Sequence, residues 1–163
     1  MGKIVIKKNP NGDTRTAPKG IAIDDFILAN DSHRKDVFNV MNALSNKVTE
    51  AGYKHDWTKT AHTKYEAYEN GFYNDFVATQ EGKLNFIEGD WYKMHVNTER
   101  HHLLAHCPED VNLIDVLEMV VDCTVAGLAR SGEVRPMEIN SEILMKAVEN
   151  TSKMIASMCE VEE

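Results

Sequence analysis

The chain has 163 residues, of which 42% are hydrophobic, and its net charge is −8. This length and composition predict a single domain over residues 1–163 with a sizeable core, and they argue against disorder. The excess of negative charge argues against extensive binding to duplex nucleic acid or to anionic lipid, which are themselves negatively charged.

Cysteine content and apolar runs indicate where the protein works. Its three cysteines form no CxxC pair, which is typical of reduced thiols in the cytoplasm. No apolar stretch approaches a transmembrane span, and the N-terminus has no signal-peptide core. We therefore expect a cytoplasmic protein without a membrane partner.

The first twenty residues predict a small β-hairpin. Residues 3–7 alternate between apolar and polar, residues 9–13 are a turn signal, and residues 14–16 could return as the second strand. A Pro-Lys-Gly stretch at 18–20 then separates this extension from the rest of the chain.

The remaining chain shows mainly helical periodicity. Predicted helices cover residues 23–51, 57–70, 86–102, 112–131 and 141–158. Gly52, Gly71 and Gly132 are predicted stops, and Asp110 or Asn112 could cap the fourth helix. That helix is apolar on most sides and is predicted at the centre of a mainly α fold.

A histidine next to an aspartate, His55-Asp56, is the first candidate for chemistry. Both side chains can reach one metal ion from a turn, and Lys59 follows three residues later, so its ammonium can lie on the same side. His33 on the first helix and Asp122 on the apolar fourth helix complete a set of two imidazoles and two carboxylates. Such a mixed set suits Mn, Fe, Co, Ni or Zn better than Mg or Ca.

The acids of the fourth helix have competing interpretations. Asp122 is flanked by apolar residues, and a buried carboxylate is costly unless it binds a metal or pairs with a base. A salt bridge from Asp122 to Arg34, Arg100 or Arg130 is the structural alternative. Asp115 and Glu118 lie nearer the helix start, where solvated acids are common.

A second histidine cluster lies further along the chain. His95, Glu99 and His102 would share one face of a continuous helix, whereas His101 would point about 100° away. This face predicts either a second metal site or a set of side chains that binds phosphate. The alternative is a cluster of solvated surface residues.

The order of these motifs resembles the HD-domain superfamily of metal-dependent phosphohydrolases, over roughly residues 26–130. Members are helical, with a His, a His-Asp pair and a distant Asp, which His33, His55, Asp56 and Asp122 match. The stretch His-Asp-Trp-Thr-Lys is similar to the His-Asp-x-Gly-Lys form of two-metal phosphodiesterases, whose additional ligands His95 and His102 could match. Two further stretches also resemble uncharacterised phage and bacterial proteins, which would place a phage-encoded copy in the host cytoplasm.

The resemblance implies an HD-domain-like helical bundle that hydrolyses a nucleotide or cyclic nucleotide phosphoester with one or two divalent transition-metal ions. It implies Asp56, Lys59 and Glu66 as catalytic residues. Lys59, His101 and Arg100 would bind a small phosphorylated substrate, and the protein could form a homo-oligomer.

Two departures from the family pattern argue against a simple nucleotidase and against the family's usual turn after the His-Asp pair. Lys59 stands where related nucleotidases often carry a catalytic Glu, and Thr58 replaces a common Gly.

Three alternative functions stay open. They are an HD-like diiron oxygenase, a non-catalytic metal-containing binding module, and a Mg-dependent pyrophosphatase. The last would use the carboxylates of Glu66, Glu69, Glu118 and Asp122, and would leave the histidines unexplained.

Overall fold

The computed structural model describes residues 2–59, 66–134 and 136–162, without the side chains of residues 66–70. The protein is mainly helical, as predicted. Its elements are β1 (Ile4–Lys7), α1 (Ile23–Lys54), α2 (Glu66–Gln80), α3 (Asp90–Thr98), α4 (Leu113–Ser131), α5 (Ser141–Met158) and β2 (Cys159–Glu162). None of the helices in these ranges is both long enough and apolar enough to cross a bilayer.

Contacts divide the chain into two compact units. The first contains Met1–Val48 and Thr151–Glu163, and the second contains Thr49–Asn150. All the residues of the candidate site described below, apart from His33, belong to the second unit. The prediction of one domain over 1–163 stays a prediction.

The first unit contains a two-stranded parallel sheet instead of the predicted hairpin. Strand β1 forms as expected, but it pairs with β2, so that Ile4 lies opposite Cys159 and Lys7 opposite Glu162. The predicted return strand at 14–16 was wrong because Asp13 holds this segment in a turn. Its carboxylate accepts from the Arg15 backbone N–H at 2.7 Å and from the Arg15 side chain.

Helix α1 is confirmed at its start and is longer than predicted at its end. Asp24 and Asp25 occupy the first turn, where acids complement the helix dipole. The helix continues through Gly52 to Lys54, whose ammonium lies 2.5 Å from Glu50 one turn earlier. This exposed pair lies in the last turn, beyond the stop predicted at Gly52, and adds a small stabilisation to it.

The middle of the chain differs from the sequence-based prediction. Trp57–Lys59 forms a single 3-10 turn, and α2 runs through Gly71, the predicted stop. A β-carbon at Gly71 would lie 3.5 Å from the Trp91 side chain, so this glycine belongs to a packed helix surface. Helix α3 starts after Gly89 and ends at Thr98, so the predicted helix to His102 was four residues too long.

Helices α4 and α5 have the predicted bounds, because their end signals are strong. Asn112 caps α4 in a capping box with Asp115, and Gly132 ends it in the left-handed conformation at φ 75°. A buried cluster of the second unit lies against this helix and comprises Leu103, Val111, Met119 and Ala147. Val121 and Val125 are exposed, which a helix at the centre of the fold would not show, so the predicted central position of α4 was wrong.

Candidate metal centre

The candidate site starts at the turn that follows α1. Asp56 has φ 53°, the left-handed conformation that aspartate tolerates better than most residues. The Lys59 backbone N–H donates to the Asp56 carbonyl at 2.8 Å, and the Lys59 ammonium lies 2.5 Å from Asp56 Oδ2. The turn thus holds the carboxylate and the ammonium on one side, as the three-residue spacing predicted.

Glu118 of α4 joins two histidines from different parts of the second unit. Its Oε1 lies 3.0 Å from His55 Nδ1 and 3.1 Å from His101 Nδ1. These three residues, here called the Glu118 group, could hold a metal ion. With both Nδ1 atoms beside the carboxylate, the Nε2 atoms become the free ligand positions.

Those Nε2 atoms face Asp56 and Asp122. His55 Nε2 lies 3.5 Å from Asp56 Oδ2 and 3.5 Å from Asp122 Oδ1. His101 Nε2 lies 3.7 Å from Asp56 Oδ1 and 4.0 Å from Asp122 Oδ2. Two imidazole nitrogens and two carboxylates therefore surround one point, with Glu118 behind the histidines.

A second set of ligand atoms shares Asp56 with the first. His95 Nε2 lies 3.4 Å from Asp56 Oδ1 and 2.8 Å from His102 Nε2. Asp56, His95 and His102, here called the Asp56 group, could also hold a metal ion. Asp56 Oδ1 thus faces a histidine of each set, while Oδ2 faces His55.

Unsatisfied buried atoms support a cation here. Among the described side chains, buried Asp56 Oδ1 and His101 Nε2 have no hydrogen-bond partner, and neither does His101 Nδ1, although it lies 3.1 Å from Glu118 Oε1. Leaving buried polar atoms unpaired costs about 1–3 kcal/mol each. A metal ion would satisfy the lone pairs of Asp56 and His101, so the residues present fit such an ion.

Electrostatics separate the histidines of the two groups. Burial and the Lys59 ammonium lower the pKa of His95 to about 3, and burial with the neighbouring His101 lowers the pKa of His102. Burial opposes charge on His101 as well, but its contact with Glu118 outweighs this and raises the pKa of His101. The Asp56 group thus presents neutral imidazoles, the form that binds metals.

The structure brings together most of the residues predicted from the sequence. His55, Asp56 and Asp122 converge, and His95 and His102 meet although α3 ends before His102. His101 was expected to point elsewhere, yet it lies beside Glu118 and is only 2% exposed. The tight turn after α3, in which the His102 N–H donates to the Glu99 carbonyl, brings His101 and His102 to the same side.

Of the other predicted residues, two have contacts of their own and the side chain of a third is not described. His33 lies in the first unit, on the wall of a separate cavity with Asp13 and Asp36, so its metal-binding role stays a prediction. Arg100 binds Asp115 and Asp110, which gives it a structural task. The side chain of Glu66 is outside the described residues.

Sequence reasoning underrated Glu118 and Asp115. Asp115 is the buried salt-bridge partner of Arg100, the role considered for Asp122. Glu118 was interpreted as a solvated acid because it lies near the start of the helix. The available signal was its four-residue step to Asp122, which places both acids on one helix face.

A cavity of about 750 Å³ opens beside the ligand atoms within the second unit. Asp56, Lys59, His95 and Asp122 line one part of it, and Arg130 lines another. Its apolar wall includes the side chains of Phe72, Phe76, Phe86, Trp91 and Tyr92. The volume suits a small organic ligand that reaches the candidate metal centre.

Comparison with known proteins identifies the family of the chain. No curated protein and no solved structure matches the chain. Residues 23–161, which include every candidate ligand, match a family of unknown function. Since this match covers most of the chain, the protein belongs to the family of unknown function DUF5662.

Proposed function

We propose that this protein is a metal-dependent phosphohydrolase of the HD-domain type that acts on a nucleotide or cyclic nucleotide. The observation that carries this proposal is the shared Asp56 carboxylate, which has histidine Nε2 atoms at 3.4 Å on one side and 3.5 Å on the other. Mixed imidazole and carboxylate ligands favour a divalent transition metal such as Mn, Fe, Co, Ni or Zn.

Two ions would share Asp56 and would otherwise have different ligands. His55, His101, Asp56 and Asp122 would hold one ion, while Asp56, His95 and His102 would hold a second. A divalent ion supplies Lewis-acid polarisation of phosphoryl oxygen and activation of water near neutral pH. Glu118 would orient His55 and His101, because its carboxylate lies at their Nδ1 atoms.

Lys59 is the chain's own cation for the phosphoryl group. Its ammonium lies beside Asp56, is partly exposed and lines the cavity. There it would neutralise a phosphoryl oxygen while the aromatic wall accepts the organic part of the substrate. A catalytic role of Glu66, substrate contacts of His101 or Arg100, and homo-oligomer formation stay predictions.

Hydrolysis of a nucleotide panel tests the proposal. Metal-free protein supplied with Mn²⁺, Co²⁺ or Ni²⁺ should release phosphate or open a phosphodiester in at least one mono-, di-, tri- or cyclic nucleotide. Asp56→Asn should abolish this turnover, because both ions would lose the carboxylate that they share. Lys59→Ala should mainly raise KM and leave metal content unchanged, since an ammonium is not a ligand.

A matched lysine variant controls for general loss of positive charge. Lys83→Ala removes an exposed lysine whose ion pair is with Glu81, outside the cavity lining, and should leave turnover unchanged. No metal-dependent turnover with any of these nucleotides would count against the proposal. Visible absorption from an iron pair in that inactive protein would instead favour the diiron oxygenase alternative.

A further inference from the structure

A buried hydrogen-bond chain stands behind the Asp56 group. Thr58 Oγ lies 2.6 Å from Glu99 Oε1 and 2.7 Å from His95 Nδ1. Glu99 Oε1 also accepts from the Thr58 backbone N–H at 2.9 Å. Thr58, His95 and Glu99 are 1%, 3% and 5% exposed, so water has little access to compete for these bonds.

The chemistry of the three groups fixes the direction of this chain. Glu99 Oε1 already accepts the Thr58 backbone N–H, so this oxygen is an acceptor and the single hydroxyl proton of Thr58, at 2.6 Å, points at it. The Thr58 oxygen is then left to accept, and the atom 2.7 Å away must donate. His95 therefore carries its ring proton on Nδ1.

The tautomer of His95 determines what the opposite edge of the ring offers. With the proton on Nδ1, the lone pair on Nε2 faces His102 Nε2 at 2.8 Å and Asp56 Oδ1 at 3.4 Å. Trp91 stacks on the same ring with centroids 4.8 Å apart and planes 13° apart, which also fixes the ring plane. The ring is thus held in both orientation and tautomer.

We infer that Thr58 and Glu99 are positioning residues that hold His95 as an Nε2 ligand and so set the cation affinity of the Asp56 group. This inference rests on the metal centre of the proposed function. It also gives a role to Thr58, which stands where the resembling family commonly has Gly. Glycine has no hydroxyl and could not relay the Glu99 carboxylate to the histidine.

The Glu118 group is built differently, so a change at Thr58 can be tested for its effect on the Asp56 group alone. There the carboxylate contacts His55 and His101 directly, without an intervening hydroxyl. Removing the Thr58 hydroxyl should therefore alter the Asp56 group and leave the Glu118 group intact. Thr58→Val removes the hydroxyl at nearly constant volume, and Thr58→Ser keeps it as the matched control.

The first measurement is the histidine tautomer in metal-free protein, read from long-range ¹H–¹⁵N NMR correlations of the imidazole rings. Wild type and Thr58→Ser should show His95 with its proton on Nδ1, and Thr58→Val should show an added Nε2–H population. Wild-type protein with the proton on Nε2 would overturn the inference, even if Thr58→Val failed to fold. An unchanged His95 tautomer in folded Thr58→Val would also overturn it.

The second measurement is a calorimetric titration of the same metal-free proteins with Zn²⁺, with NMR shifts assigning each ion to its histidines. Thr58→Val should weaken the ion at His95 about 10–100-fold, the usual cost of losing an outer-shell partner. Thr58→Ser should keep the wild-type affinity, and the ion at His55 and His101 should be unaffected in both. Equal affinity at His95 in Thr58→Val and wild type would contradict the inference.

These readouts do not depend on turnover. Protein with the expected tautomer and Zn²⁺ affinities but without hydrolysis would contradict the proposed function and leave this inference standing. Metal-dependent hydrolysis by wild type, together with an unchanged tautomer and unchanged Zn²⁺ affinity in Thr58→Val, would support the proposed function and contradict this inference.

Discussion

Glu118 shows how one carboxylate can organise two ligands. Its Oε1 lies within 3.1 Å of the Nδ1 atoms of both His55 and His101. Burial opposes the charge of Glu118, but the neighbouring His101 and His55 outweigh burial and lower the pKa of its carboxyl group. The charged form is thus held where it directs both imidazoles toward Asp56 and Asp122.

Removing the charge of Glu118 should weaken metal binding at the Glu118 group. We expect Glu118→Gln to lower the affinity for Co²⁺ there by about 10–100-fold, because the amide no longer stabilises two polarised imidazoles. Competition with a chromophoric chelator measures this affinity.

Glu133→Gln, at an exposed position just beyond the end of α4, is the matched control and should bind Co²⁺ as wild type does. Identical Co²⁺ affinities for Glu118→Gln and wild type would mean that Glu118 does not orient the ligands.

At the residue scale, adjacency and order predicted part of the site. The His55-Asp56 pair and Asp122 on an apolar helix could be identified from their order and spacing along the chain. The place of His101 could not, because it depends on the turn after Thr98, where the helix stops. Thr58 and Glu99 meet through a contact 41 residues apart in sequence, for which no local pattern exists.

Helix α4 is fixed at its start by more than its cap. Asp115 is 6% exposed and accepts from the Asn112 backbone N–H at 2.9 Å and from the Arg100 guanidinium at 2.7 and 2.8 Å. Arg100 also reaches Asp110 at 3.0 Å, but that carboxylate is 79% exposed. One residue therefore closes the capping box and anchors the segment that carries His101 and His102.

Asp115→Ala should destabilise the fold strongly. Loss of the charged hydrogen bonds and of the capping box should lower the free energy of unfolding by about 2–4 kcal/mol. Asp110→Ala removes the exposed partner of the same arginine and should cost less than about 1 kcal/mol. Urea denaturation followed by circular dichroism measures both, and equal effects of the two substitutions would contradict this account.

Elements with strong local signals were the predictable ones. The bounds of α4 and α5 follow from Asn112, Gly132 and a sustained apolar period, and the start of α1 follows from Asp24 and Asp25. The pairing of β1 with β2 could not be predicted, since the strands lie some 150 residues apart and each has only four residues. Gly71 failed as a stop signal because the helix around it is packed against Trp91.

At the scale of the whole molecule, the two compact units should respond differently to metal. Every ligand atom of both groups lies in Thr49–Asn150, whereas the parallel sheet lies in the first unit. Binding to the native state stabilises whatever part of the protein must be folded to form the site. Metal binding should therefore stabilise the second unit and have little effect on the first.

Hydrogen exchange with and without Zn²⁺ tests this. At 100 times the dissociation constant, a single ion should stabilise the unit that forms the site by about 2.7 kcal/mol against unfolding. Slower exchange is expected at residues 55–59, 95–102 and 115–122, and little change at 4–7 and 159–162. Chelator should reverse the effect, and Asp56→Asn should abolish it. Uniform protection of both regions would show that the units unfold together.

The left-handed backbone of Asp56 restricts what mutation can do at the centre of the site. A single base change turns an aspartate codon into Asn, His, Tyr, Ala, Val, Gly or Glu. Asn and Gly accept φ near 53° but remove the charge, while Glu keeps the charge at roughly 1–2 kcal/mol of backbone strain and with a longer side chain. No single-base substitution keeps both the negative charge and the unstrained left-handed backbone. We therefore expect every such substitution of Asp56 to impair the site.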